Sequence, residues 1–277
     1  MHAHFATSGW NWEPSILLGL ILIAASYALV TGPFRRRKSL GASVSAIRQG
    51  AFYLGTLLAF LALLSPLDEL SDEYLFSAHM LQHILITFVA PSLWLLGIPD
   101  WLVERLPSKG LAGRIFNGIA RPLPAFLLFN SAMWLWHIPF AYNMALEHEW
   151  LHIVEHLIFV ATGLIAWWPV IGWKGKSEWG LSSLGKGIYT FLMMFPCTAL
   201  AALITLSSRQ LYTFYGDSPL KFGLTPIFDQ QVGGLLMWLP PDLIFMLASL
   251  IFLNHWLSDS TELSLIKRSQ RMENYHE

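Results

Sequence analysis

Seven apolar runs, each long enough to cross a hydrocarbon core, constrain this chain more than any other feature of its sequence. A helix rising about 1.5 Å per residue needs about 20 apolar residues to cross a core about 30 Å thick. Runs near that length lie over residues 14–31, 47–64, 74–97, 122–142, 150–172, 187–206 and 229–256. They are continuous and do not alternate, which excludes a transmembrane β-barrel. Backbone groups in lipid must be satisfied within their own segment, so each run is read as a helix. A hydrophobic fraction of 55% and a charged fraction of 13% agree with lipid as the solvent. The expected fold is all-α: a polytopic membrane protein, a bundle of seven transmembrane helices.

Charge orients the bundle. Arg35, Arg36, Arg37 and Lys38 follow the first run, while no Lys or Arg precedes it. This marks a retained span with the N-terminus outside and, after seven crossings, a cytoplasmic C-terminus. Arg105, Lys109, Arg114, Arg121, Lys174, Lys176 and Lys186 fall in segments expected inside, and only Arg209 and Lys221 in those expected outside. Residues 1–277 are read as a single membrane domain in which residues 257–277 form a polar cytoplasmic tail carrying Lys267, Arg268 and Arg271. A formal net charge of -1 offers no basic face for nucleic acid. Cys197, the one cysteine, excludes an intrachain disulfide.

Against this apolar background the histidines stand out. His148, His152 and His156 recur every four residues beside Glu149 and Glu155, so in a helix the three rings form one stripe. His79 and His83 form a second such pair, and His137 lies near the end of the fourth run. Counted from the helix ends expected outside, His79, His83, His137 and His156 lie roughly 7–13 Å deep. Three helices thus deliver imidazole to one band of the outer leaflet. Imidazole is the commonest metal ligand, and ionisable groups inside a membrane are costly and usually functional. Met133 and Met144 precede His137 and His148 by four residues and add soft sulfur; neutral imidazole with thioether suits copper, Cu(I) above all.

Plainer roles compete for some of these residues. A histidine at a helix end commonly only satisfies a backbone carbonyl, which is the better reading of His148, and methionine at helical spacing is commonly packing, the better reading of Met193, Met194 and Met246. His2 and His4 read as a solvated terminus and His255 as interfacial. Asp229, opening the seventh run with Gln230 and Gln231, is read first as a helix cap and second as a group orienting a ligating ring. Asp242 beside Pro240 and Pro241 marks either an ion path or a carboxylate serving backbone freed by the prolines. Glu149 and His152 match the ExxH element of a di-iron bundle, but no second ExxH lies within the apolar runs.

Several of these stretches resemble one family. They are Ser65-Pro66-Leu67-Asp68, Tyr74 through His83, Trp136-His137-Ile138-Pro139, Leu151 through His156, Trp167-Trp168-Pro169-Val170 and Asp229-Gln230-Gln231. In that order they resemble the polytopic CtaG-type assembly factors of cytochrome c oxidase, from about Trp10 to Trp256. The resemblance implies a multi-pass protein of the bacterial plasma membrane that serves maturation of a Caa-type haem-copper oxidase, in the handling of its copper. It points to His79, His83, His137, His152 and His156.

The function expected is therefore a non-enzymatic assembly factor, a metallochaperone of respiratory chain biogenesis with oxidase subunits as partners. Copper would be held by His79, His83, His152, His156 and His137. Met133, Met144, His148, Glu149, Glu155 and Asp229 would be supplementary donors or orienting groups. Two rivals stand beside it: a copper transporter, suggested by Met193, Met194, Cys197 and Asp242, and a haem-binding electron carrier with axial histidines from two helices.

Overall fold

A computed structural model describes residues 9–106, 110–172 and 180–273. His2, His4, Lys109, Lys174 and Lys176 lie outside the described residues. Among those described, regular structure is helical throughout. The helices that frame the histidines are α1 (Pro14–Lys38), α2 (Ala46–Leu64), α3 (Phe76–Gly97), α4 (Pro122–Trp136), α5 (Pro139–Glu147), α6 (Glu149–Gly172), α7 (Ser183–Thr205) and α8 (Pro226–Glu273). Six of them, α1, α2, α3, α6, α7 and α8, are long and apolar enough to cross a membrane.

The run expected as one helix over residues 122–142 is two. Proline at 139 disfavours helical backbone at the preceding residue. Ile138 accordingly turns extended (φ -63°, ψ 126°) and His137 sits at a helix end (φ -90°, ψ 3°). The seventh helix, by contrast, is longer than the expected 229–256. It runs from Pro226 to Glu273 and passes Pro240 and Pro241 unbroken.

Cross-links at both ends of the bundle fix how the helices run. Asn11, ahead of α1, donates to Asp68 beyond the end of α2 (2.8 Å), and Asp229 on α8 accepts from the first residues of α3. Tyr212, beyond α7, donates to the carbonyl of His137 beyond α4 (2.9 Å). At the opposite end, Tyr27 of α1 donates to Gly97 at the end of α3 (3.0 Å), and Arg48 of α2 pairs with Asp100 (3.0 Å). α1, α2, α3, α4, α6, α7 and α8 therefore alternate in direction, with Arg35–Lys38 and Arg48 at one end and His79, His83, His137, His152 and His156 at the other.

Packing reflects the absence of a hydrophobic driving force between helices in lipid, where close approach and hydrogen bonds take over. α8 packs along α7 and against the first half of α3, α2 against the second half of α3, and α6 against both α3 and α4. Gly163 lets α6 touch α3: a Cβ there would collide with the carbonyl oxygen of Thr87. Pro91 supplies no N–H to the turn below Thr87, and α3 widens to a π-helical turn over Leu85–Val89.

Candidate metal centre

Four imidazoles meet where α3 and α6 begin. His79 and His83 are one helical turn apart on α3, His152 and His156 one turn apart on α6, and the two helices run in the same direction. Each ring offers a nitrogen, and the four nitrogens lie within 4.8 Å of one another. Ring centroids are 4.0 Å apart for His79 and His83, 4.1 Å for His152 and His156, and 5.3 Å for both His79–His152 and His83–His156. A tetrahedral ion with bonds of about 2.0–2.1 Å holds its donors about 3.3 Å apart. An ion at this place would thus draw the rings together by small side-chain rotations.

The two rings of α3 are buried, the two of α6 half-buried, and all four are largely without partners. His79 is 0% exposed and His83 4%, and neither ring nitrogen of either residue has a hydrogen-bond partner. Nε2 of His152 and of His156 is likewise unpartnered. A buried polar atom left unsatisfied costs about 1–3 kcal/mol, and a fold that sustains six of them side by side calls for an explanation. One nitrogen from each ring lies close enough to the other three to serve a single cation, so the donor set and its burial fit a metal ion.

Supporting contacts hold α3 in place. Leu75 is extended (φ -135°, ψ 120°) and gives the helix no side-chain cap. Asp229 supplies one from 153 positions away: its carboxylate accepts from the backbone N–H of Phe76 (2.7 Å) and of Ser77 (3.2 Å), and from the Ser77 hydroxyl. A carboxylate at a helix start meets orphan N–H groups and the positive end of the dipole. Capping is thus its observed role, on a neighbouring helix and not on its own. Gln82, between the two histidines of α3, donates to Ala62 O (3.0 Å) and Asp68 Oδ1 (2.8 Å) and accepts from Ser71 Oγ (3.1 Å). Burial, with the nearby charge of Asp72, pushes the Asp68 carboxyl up to about 7.

Asp72 opens the site to the surface. Its Oδ2 lies 3.7 Å from His152 Nδ1, and the two side chains are 36% and 12% exposed. The other side is closed by the segment between α7 and α8. Tyr212 stacks on Phe76 (4.4 Å, 12°), and Tyr215 joins Tyr142 by a hydroxyl–hydroxyl hydrogen bond (2.8 Å) and donates to Ser71 O (2.6 Å). Both buried tyrosines thus pack on Tyr142, whose ring lies 5.2 Å from that of His79.

The remaining candidates divide. His137 lies beside the four-ring group, its centroid 6.1 Å from that of His83, with Nδ1 donating to Met133 O (2.7 Å) and Nε2 unpartnered. Met133 is buried. Glu155 is 0% exposed and both its oxygens lack partners, yet it stands outside the four-ring group. His148 and Glu149 are exposed, and the His148 ring faces Met144 O (3.2 Å), the backbone-satisfying role expected of it. Met144 is half-buried and also apart from the group. Asp242 accepts from Thr198 (2.6 Å) and links α7 to α8.

Comparison with known proteins agrees with the motif pattern. The chain is 24% identical over 270 residues to an uncharacterised protein of Mycobacterium bovis and to one of Mycobacterium tuberculosis, with 89% of this chain and 39% of each relative covered. An uncharacterised protein of Mycobacterium leprae is 22% identical over 261 residues, covering 88% of this chain and 39% of the relative. This chain therefore spans about two fifths of the length of the curated relatives it matches. No solved structure matches it. The family model described as cytochrome c oxidase caa3 assembly factor (Caa3_CtaG) matches residues 25–259, nearly the whole described bundle, and the chain belongs to that family.

Proposed function

We propose that this assembly factor carries copper as cargo, binding it at His79, His83, His152 and His156 and passing it to a subunit of the oxidase. One observation supports the reading above all: two buried and two half-buried imidazoles from two helices present nitrogens within 4.8 Å of one another, and most of those nitrogens have no protein partner. Imidazole binds copper well, and a site open at Asp72 and His152 allows ligand exchange with an incoming or departing carrier. The chemistry is exchange of ligands, without catalysis. Asp72 is the entry contact, and Glu155 balances charge beside the rings.

In this reading the protein is a multi-pass component of a bacterial plasma membrane. α4 and α5 together make the fourth of seven crossings, the N-terminus lies outside, and the residues after 256 lie on the cytoplasmic side. The end-to-end segregation of Arg35–Lys38 and Arg48 from the histidines supports that orientation. The histidines then open toward the outer face. Membrane-purified wild-type protein is expected to retain about one copper per chain and to show no Soret band. The H79A/H83A/H152A/H156A variant is expected to lose that copper. Equal copper in the two proteins overturns the reading, and a Soret band in the wild type transfers the histidines to haem.

A further inference from the structure

Beneath the four histidines lies a second cavity, of about 10 Å³, with room for one water-sized particle. Beside Ile84 and Phe88, the residues lining it that carry a donor atom come from four helices: Met80 and His83 of α3, Met133 of α4 with His137 just beyond its end, Cys197 of α7 and Met237 of α8. All six are buried, at 0–7% exposure. The whole chain has nine methionines in 277 residues, so three around one small cavity is a local concentration of sulfur and not the background rate.

The nitrogen donor is held firmly. Proline at 139 ends the helix at His137; the His137 backbone N–H donates to Met133 O (3.3 Å), its Nδ1 donates to the same carbonyl (2.7 Å), and its own carbonyl accepts from Tyr212 (2.9 Å). With the proton on Nδ1, Nε2 keeps its lone pair; that atom is buried without a partner, on a residue that lines the cavity. His83 borders both places, since its ring lies 4.0 Å from His79 and 6.1 Å from His137.

We propose that this cavity is a second metal site, selective for a soft monovalent cation of the Cu(I) and Ag(I) class, bound by His137 Nε2 with thioethers of Met80, Met133 and Met237. Neutral thioethers and an imidazole bring no negative charge, which suits a monovalent ion in an apolar interior and leaves a divalent one poorly balanced. A hard ion finds no carboxylate among the lining residues. His83, standing between the two places, lets an ion pass from one to the other by exchange of ligands with no change of oxidation state. The second site stands on its own geometry; only this passage rests on the reading of the four histidines as a metal site.

Silver(I) tests the site, being inert to redox. Full-length protein in nanodiscs is titrated with Ag(I), bound silver is measured by elemental analysis, and its neighbours are read by X-ray absorption. The wild type is expected to bind two silver ions per chain, one of them with sulfur neighbours. In M80L/M133L/M237L, a volume-conserving change, the sulfur signal and one equivalent are expected to disappear. In H79A/H152A/H156A, which keeps His83 and His137, the sulfur-bound silver is expected to remain. Silver with only nitrogen or oxygen neighbours in the wild type, full silver binding in the triple leucine variant, or loss of sulfur-bound silver in the histidine variant each overturns the proposal. Sulfur-bound silver in a wild type that binds no ion at the four histidines leaves this site standing and fails the upper one.

Discussion

Two faces of the same helical turn of α3 treat buried polar groups in opposite ways. Gln82, fully buried, is satisfied on all sides by Ala62, Asp68 and Ser71. His79 and His83, equally buried and one turn apart on the other face, have four ring nitrogens and no partner for any of them. The fold is thus able to satisfy polar side chains at this depth, and does so where the side chain serves structure. Leaving the histidines unsatisfied costs stability, and such a cost is usual at functional sites inside membranes.

The contrast can be broken by substitution, and the largest effect is expected where the two histidine-bearing helices touch. In G163V the added side chain meets the Thr87 backbone, which cannot swing aside. A loss of about 3 kcal/mol in stability is expected together with weakened copper binding, because α6 is pushed from α3. Unfolding in detergent and copper titration measure the two. Next comes the direct comparison on α3. Q82L strands Asp68 and the Ala62 carbonyl and should destabilise by about 2 kcal/mol, whereas H79L removes unsatisfied atoms and should leave the metal-free protein as stable or more so while weakening metal binding. Equal destabilisation by both would erase the distinction between the two faces.

A smaller effect is expected at the cap. D229A removes acceptors from the first two N–H groups of α3 and should cost about 1–2 kcal/mol, measurable in the same unfolding assay. Its copper affinity should fall only through the fraying of the turn that carries His79. The smallest effect is a pH dependence. With its folded-state value raised to about 7, Asp68 holds a proton in the folded protein that it releases when unfolded. Its contribution to stability is fully present below about pH 4 and is lost as pH rises through about 7. The slope over that window should be flatter in D68N, and an unchanged slope would place the proton elsewhere.

Much of the arrangement was legible because it depends on local sequence. Run length against bilayer thickness gave the apolar helices, and the spacing of four gave the two histidine pairs, since both follow from helix geometry alone. The break after Trp136 was legible in Pro139 yet went unread, because an apolar run hides a helix end. What sequence could not supply was long-range. Asp229 looked like the cap of its own helix and caps α3 instead, because only packing brings α8 to that point. Tyr212 and Tyr215 lie in the connection between α7 and α8, where no helical period marks burial, and are buried against Phe76 and Tyr142. Methionines 80, 133 and 237, scattered over three helices, come together only through the crossing of those helices.

Central to the account is that the unpartnered nitrogens of α3 and α6 share one copper ion. X-ray absorption at the copper edge, on wild-type protein purified with its metal, tests that most directly. The account predicts three or four imidazole nitrogens around the metal, falling to two or fewer in H152A/H156A, with far-ultraviolet circular dichroism unchanged. A copper environment identical in the wild type and that variant, or one without imidazole, would contradict it.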